Sequence, residues 1–199
     1  MLDRRIPYYN MIFRCDAPPP GEPSLPEGYR IRPYRPGDER AWARLERETG
    51  DFATQEEAEA YFVSRYGRGA EAAERCLFAV DRRGEPVGSC IAWRDPREGE
   101  MVSSLHWLVV SPDHQRRGLG EALCRRALRL YQDRDAFPVY LHTQPWSYAA
   151  ALLYVRLGFR LQRTDTFFGY ENQCGQALEV LRTILPAAEH RLLTDHTDP

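Results

Sequence analysis

Residues 105–130 read LHWLVVSPDHQRRGLGEALCRRALRL, and this stretch decides the fold. Leu105 to Val110 close a long stretch that starts at Met101 and reads as a strand. Leu119, Ala122, Leu123, Ala127 and Leu130 then recur at helical spacing, which predicts an amphipathic helix over Leu119–Tyr131. The loop between them ends in Gln115-Arg116-Arg117-Gly118-Leu119-Gly120. Gly118 and Gly120 carry no Cβ, so the backbone can turn tightly there and approach a ligand closely. The first amides of the following helix have no partner inside the helix and carry the positive end of its dipole. Such an end receives phosphate or pyrophosphate, and Arg116 and Arg117 add charge beside it. The physical reading is an anion site for a phosphorylated cofactor.

Two other phosphate loops fail on content. A Walker loop needs Gly-Lys-Ser/Thr after its glycines, and that is absent. A dinucleotide fingerprint needs a third small residue where Leu123 stands, and an acid where the next strand ends in His142-Thr143. A glycine-rich surface turn with solvated arginines is the simpler alternative, and the hexapeptide alone leaves it open.

Upstream, Gly28–Tyr34 alternates as a strand, and Pro36-Gly37-Asp38 makes a turn into a helix that ends near Gly50. Thr54 and Glu57 form a capping box for a second helix over Thr54–Tyr66. Its apolar face holds Ala58, Tyr61 and Phe62. Cys76–Val80 and Val87–Trp93 flank a hairpin signal at Asp81–Glu85. Downstream, Val139–Thr143 reads as a strand, and Trp146–Leu157 as a helix closed by Gly158. Phe159–Phe168 reads as one more strand and Ala177–Leu185 as a last helix, stopped by Pro186 before a frayed tail. This order predicts an α/β (α+β) domain with a mixed, mostly antiparallel twisted sheet and helices on both faces. Residues 28–170 form the domain proper. Residues 1–27 read as an N-terminal arm, with a strand in Ile6–Arg14 and a proline-rich linker after it, and residues 171–199 as a C-terminal helix and tail.

Composition sets outer limits. The 199 residues are 43% apolar and 28% charged with a net charge of −2, which suits one globular domain. No basic excess calls for nucleic acid. Five cysteines, odd in number and without a CxxC pair, argue against a disulfide framework or a zinc site. No signal-peptide core and no run of ~18 apolar residues is present, so the expectation is a cytoplasmic protein with no membrane partner and no metal.

The glycine loop resembles the acetyl-CoA signature of the GNAT superfamily of N-acetyltransferases, Gln-x-x-Gly-x-Gly, at residues 115–120. A second stretch, Ser147-x-x-Ala150-x-x-Leu153-Tyr154-x-x-Leu157-Gly158-Phe159, resembles the family's Asn-x-x-Ala-x-x-Leu-Tyr-x-x-x-Gly-Phe, with Ser147 in place of Asn. The two lie in the family's order, one strand apart, and the resemblance covers roughly residues 28–170. It implies the GNAT fold and acetyl-CoA as acyl donor. By position, the backbone of Leu108, Val109 and Val110 would pair with the pantetheine arm, and one of their amides would hold the developing oxyanion. Gln115, Arg116, Arg117, Gly118, Leu119 and Gly120 would wrap the pyrophosphate. Ser147 would bond a pantetheine amide less fully than Asn does, and Tyr154 would face the coenzyme sulfur as general acid. The usual last hairpin strand is hard to find after Phe168. The N-terminal segment or the C-terminal helix is expected at that edge.

An amine with a pKa near ~10 is mostly protonated at neutral pH, so attack on a thioester needs a base. His106 is the candidate, because it precedes Leu108 and Val110 by two and four residues and so shares their face of the strand. The stretch also looks like the arylalkylamine branch of the family, which has a His at this place. His142 is the second candidate. Cys124 reads as a buried helix residue rather than a nucleophile, which favours direct attack. Trp107, Trp146, Tyr148, Phe167, Phe168 and Tyr170 are the aromatic residues considered for the acceptor side, and Tyr170-Glu171-Asn172 and the Asp51 region for orienting an amine. The implied activity is transfer of acetyl from acetyl-CoA to a small-molecule amine. A protein lysine or N-terminal acetyltransferase, favoured by an acidic groove around Asp51, Glu56 and Glu57, and a non-catalytic acyl-CoA sensor or scaffold are the alternatives. A homodimer is compatible with all three.

Overall fold

The computed structural model describes residues 5–21, 24–134 and 136–198. Along the chain these form β1 (Met11–Cys15), β2 (Arg30–Pro33), α1 (Asp38–Thr49), α2 (Gln55–Tyr66), α3 (Ala70–Arg75), β3 (Cys76–Val80), β4 (Pro86–Arg97) and β5 (Glu100–Val110). α4 (Leu119–Gln132), β6 (Val139–Thr143), α5 (Tyr148–Arg156), β7 (Arg160–Gln162), α6 (Cys174–Ile184), α7 (Ala187–Asp195) and β8 (Thr197–Asp198) follow. Among the described residues the strands make a mixed sheet in the order β2-β3-β4-β5-β6-β1-β7-β8. No helix among them is long and apolar enough to cross a membrane.

Contacts divide the chain into two compact units. One comprises Gly21–Ala92 and His106–Leu130, the other Leu2–Pro20, Trp93–Leu105 and Tyr131–Pro199. In the first unit, β2, β3 and β4 pair antiparallel. Phe78 of β3 stands opposite Ser89 of β4 and touches Tyr34, which stacks on Phe62 of α2 at 5.5 Å. That face of the sheet therefore carries α1 and α2. A Cβ on Gly88 would point the other way, 3.3 Å from Leu123 of α4, so α4 covers the opposite face. α1 starts where the sequence predicts: Asp38 accepts from the backbone N–H of Arg35 and pairs with Arg32, and Gly50 closes the helix at φ 96°. Thr54 caps α2 through the N–H of Glu57, while the Glu57 carboxylate reaches back to the N–H of Ala53.

In the second unit the N-terminal segment departs from its reading as an arm. β1 lies between β6 and β7, antiparallel to both, and Met11, Ile12, Phe13 and Cys15 are fully buried. Its apolar residues are core, and the proline-rich stretch only follows them. The N-terminal segment thus takes the inner place for which no strand is found after Phe168. The strand predicted over Phe159–Phe168 is shorter, Arg160–Gln162. Beyond it Asn172 donates to the carbonyls of Gln162 and Asp165, so a side chain rather than a ladder satisfies that backbone. Phe167 turns inward with Ile12 and Tyr140. The tail is ordered too: α7 leads into β8, which pairs parallel with β7, and Asp198 binds Arg160 and Gln162.

Candidate active site

Within β5, Trp107 has a left-handed backbone, with φ 47°. A bulky residue in the left-handed region costs of order 1–3 kcal/mol, so tertiary contacts must hold it there. They do: its ring meets Trp42 at 5.4 Å, Phe52 at 5.5 Å and Tyr61 at 5.4 Å. The preceding residue, His106, meets Tyr66 of the same helix, α2, with Nδ1 2.9 Å from the hydroxyl. Two consecutive side chains thus reach α2. The simple alternation that put His106, Leu108 and Val110 on one face does not carry across Trp107.

Beyond Trp107, Leu108 and Val110 are half-buried and Val109 is buried. A Cβ on Gly88 would lie 2.9 Å from the carbonyl oxygen of Val109, so only glycine lets β4 approach so closely. Gly88 is a close-packing residue that lies outside both sequence motifs. A glycine inside a strand pattern was its available signal.

The loop after β5 is exposed from Gln115 to Gly118. Arg116 has φ 60° and Gly118 φ 82°, both left-handed, and Leu119 is buried as the first residue of α4. Nothing lies within 4 Å of a Cβ built on Gly118, so a ligand can approach the backbone there. The loop braces itself: Gln115 donates to the carbonyl of Val110, and Arg117 donates to the carbonyl of Asp113 and the hydroxyl of Tyr29. Tyr29 also bonds His114 at 2.9 Å. The open left-handed turn, the first amides of α4 and two arginines fit a pyrophosphate. Cys124 is a free, buried thiol, and burial, with the neighbouring Cys90 thiol adding to it, pushes it well up, which disfavours a thiolate nucleophile.

The second motif lies in the other unit. Ser147 ends a short 3-10 turn, and its hydroxyl accepts from the side-chain amide of Gln144 at 3.1 Å. Tyr154 is 7% exposed, with its ring between Phe13 of β1 at 6.1 Å and Phe159 at 5.7 Å. His142 stacks on Tyr170 with ring centres 3.9 Å apart and planes 7° apart. Its Nε2 lies 2.8 Å from Oδ1 of Asn10 and 3.2 Å from the Tyr8 hydroxyl. Asn10 donates its amide to the carbonyl of Glu171, which turns its oxygen toward the histidine. An amide oxygen only accepts, so the Asn10 contact places a proton on Nε2 of His142 and leaves the lone pair on Nδ1. Tyr8 and Asn10, both N-terminal, are contacts that the motifs do not signal. Tyr148 and Phe168 are exposed and Trp146 packs edge-on to Tyr8 at 5.1 Å. Phe167 is core and drops out of the acceptor side. Asn172 is a structural clamp rather than an amine ligand.

A family model described as the Acetyltransferase (GNAT) family matches residues 39–159. The chain belongs to the GNAT family. Mycothiol acetyltransferase of Pseudarthrobacter chlorophenolicus is 32% identical over 155 residues, covering 74% of this chain and 47% of that protein. N-acetyltransferase family 8 member 3 of Rattus norvegicus is 35% identical over 95 residues, covering 47% of this chain and 41% of that protein. This GNAT chain spans about half the length of the curated relatives it matches. Among solved structures, a GCN5-related N-acetyltransferase from Sphaerobacter thermophilus aligns with a TM-score of 0.60 at 26% identity, over 77% of this chain and 48% of that one. A diaminobutyrate acetyltransferase from Paenibacillus lautus, solved with its substrate and coenzyme A, shares the fold at a TM-score of 0.50 and 21% identity, over 64% and 73% of the two chains.

Proposed function

We propose that the protein transfers an acetyl group from acetyl-CoA to the amine of a small molecule, by direct attack and without a covalent enzyme intermediate. The observation that carries this reading is the open, left-handed turn at Arg116–Gly118 leading into α4, in a chain of this family. Gln115, Arg116, Arg117, Gly118, Leu119 and Gly120 hold the coenzyme's pyrophosphate. Backbone groups of Leu108, Val109 and Val110 line its pantetheine arm, and Ser147 bonds an amide of it. Acetyl-CoA supplies the activated acyl group. His106 takes a proton from the attacking amine, and Tyr154 gives one to the departing sulfur, so the nitrogen–carbon bond forms as the carbon–sulfur bond breaks. The buried, high-pKa thiol of Cys124 supports direct attack over an acyl-cysteine.

Two of the carboxylates that would make an acidic groove for a protein substrate have local partners. Asp51 accepts from Thr49, and Glu57 caps its own helix. This favours a small acceptor. Half-buried Phe52, Tyr61 and Trp107 offer it an apolar wall.

Thiol release from acetyl-CoA tests the reading, measured across simple amines, polyamines, aminoglycosides, peptides and the acceptor of the mycothiol acetyltransferases. The chain contains no lysine, so release without acceptor cannot come from acetylation of its own ε-amines. Small amines giving acceptor-dependent release, with peptides inert, is the expected result. Calorimetry showing no association with CoA at low salt refutes it.

A further inference from the structure

Tyr66 is the last residue of α2, buried, with its hydroxyl on Nδ1 of His106. Its ring meets Phe62 at 5.3 Å and Tyr61 at 6.4 Å, and meets the imidazole edge-on at 6.0 Å. The next residue, Gly67, leaves the helix at φ 71° while its N–H still bonds Val63. The phenol is thus held on both sides by packing and along the chain by the helix end. With only two side-chain torsions, it is a stiff holder.

A hydrogen bond at one imidazole nitrogen decides what the other can do. Where Nδ1–H donates to the phenol oxygen, Nε2 keeps a lone pair and can accept a proton. Where the phenol donates to Nδ1, Nε2 carries the hydrogen and cannot. Base catalysis at Nε2 demands the first arrangement. It also keeps the Nδ1–H bond intact throughout, because the imidazolium formed by protonation at Nε2 still donates from Nδ1 to the same oxygen. Nothing need reorient as the proton moves.

We propose that Tyr66 is a positioning residue that holds His106 as the Nδ1–H tautomer, with Nε2 as the atom that receives the acceptor amine's proton. The choice of tautomer and its catalytic use both rest on the base role proposed above, while the contact between Tyr66 and Nδ1 is given by the geometry.

Long-range proton–nitrogen spectra of the full chain labelled at histidine nitrogens read the tautomer directly, with His106 assigned by its loss in His106→Gln. The wild type is expected to show Nδ1 protonated and Nε2 bare, and Tyr66→Phe to move the ring toward the Nε2–H form that histidine prefers in water. An Nε2–H pattern in the wild type overturns the proposal without any variant, as does an unchanged pattern in a folded Tyr66→Phe. Kinetically, Tyr66→Phe is expected to lower kcat by ~10-fold with KM for acetyl-CoA unchanged. Added to His106→Gln it is expected to cost nothing more, since its route runs through the histidine. The same loss in both backgrounds makes Tyr66 merely structural and overturns the proposal. Full turnover in His106→Gln sinks the base reading alone, and the spectra still decide whether Tyr66 sets the tautomer.

Discussion

The segments β5–α4 and β6–α5 share one plan, a strand that ends in a turn and hands over to a helix, yet they obtain their shape differently. In the first, the turn is exposed and shaped by its own backbone: Arg116 and Gly118 are left-handed, and Gln115 bonds back to Val110. In the second, side chains distant in sequence fix the turn and helix. Tyr8 reaches His142 across 134 residues, and Phe13 of β1 backs Tyr154. A site written in local backbone geometry tolerates changes elsewhere; a site assembled by a distant strand inherits that strand's stability.

The largest effect therefore belongs to the second segment. Phe13→Ala opens a cavity in a fully buried strand and is expected to cost about 3–5 kcal/mol. For a chain of this size that lowers the thermal midpoint by roughly 10 °C. Well below the new midpoint, turnover is expected to fall as Tyr154 loses its backing, while calorimetry finds CoA affinity unchanged. Full turnover in the folded variant would break the comparison, because Tyr154 would then owe nothing to β1.

Tyr154→Phe comes next. The phenyl ring keeps its contacts with Phe13 and Phe159, so folding and coenzyme binding are expected to hold while kcat drops ~100-fold, the low end for acid catalysis. Unchanged turnover removes Tyr154 from the mechanism.

A matched pair of glycines sharpens the contrast further. Gly118 has φ 82° and Gly158 φ 90°, and nothing lies within 4 Å of a Cβ on either. Alanine at each meets only backbone strain, about 1–2 kcal/mol. Gly118→Ala is expected to weaken CoA binding about tenfold, because the turn it would strain is the proposed binding surface. Gly158→Ala is expected to lower the thermal midpoint and leave CoA binding alone. Equal behaviour of the two in calorimetry would dissolve the distinction between the segments.

What was legible in the sequence follows the same line. The glycine turn, the Gly158 cap and the helix at Leu119 are local, and their residue types announce them. The inner place of β1 was not legible, since its partners lie in residues 139–143 and 160–161. Trp107 reads as an ordinary strand residue; only the aromatic ring contacts of α1 and α2 make its left-handed backbone tolerable. The short β7 shows the reverse error: Phe167 looks like a strand residue by type, but it is buried with Ile12 and Tyr140 outside the ladder. The position of the His142 proton was not legible either, since Asn10 lies 132 residues away.

The smallest expected effect separates the two units by one carboxyl in each. In the second, Arg97, Tyr140 and the N–H of Thr166 overcome the cost of partial burial and hold Asp165 below the usual carboxylate range. Stability from that pairing is present above the ordinary pKa and is lost as pH falls. In the first, Glu46 is buried, and among the described residues no donor meets its Oε1. Burial, and then the charge of Asp51, push its carboxyl well above the usual range. Above the ordinary value of ~4.3 the unfolded chain has released this proton and the folded chain still holds it, so stability declines as pH rises. Glu46→Gln keeps the shape and removes the titration. The variant is expected to match wild type at pH 4 and to melt about 3 °C higher at pH 8, as a change near 1 kcal/mol would give. Parallel melting curves at both pH values would mean that the Glu46 carboxyl is met by a donor after all, and the contrast between the two carboxyls would fall.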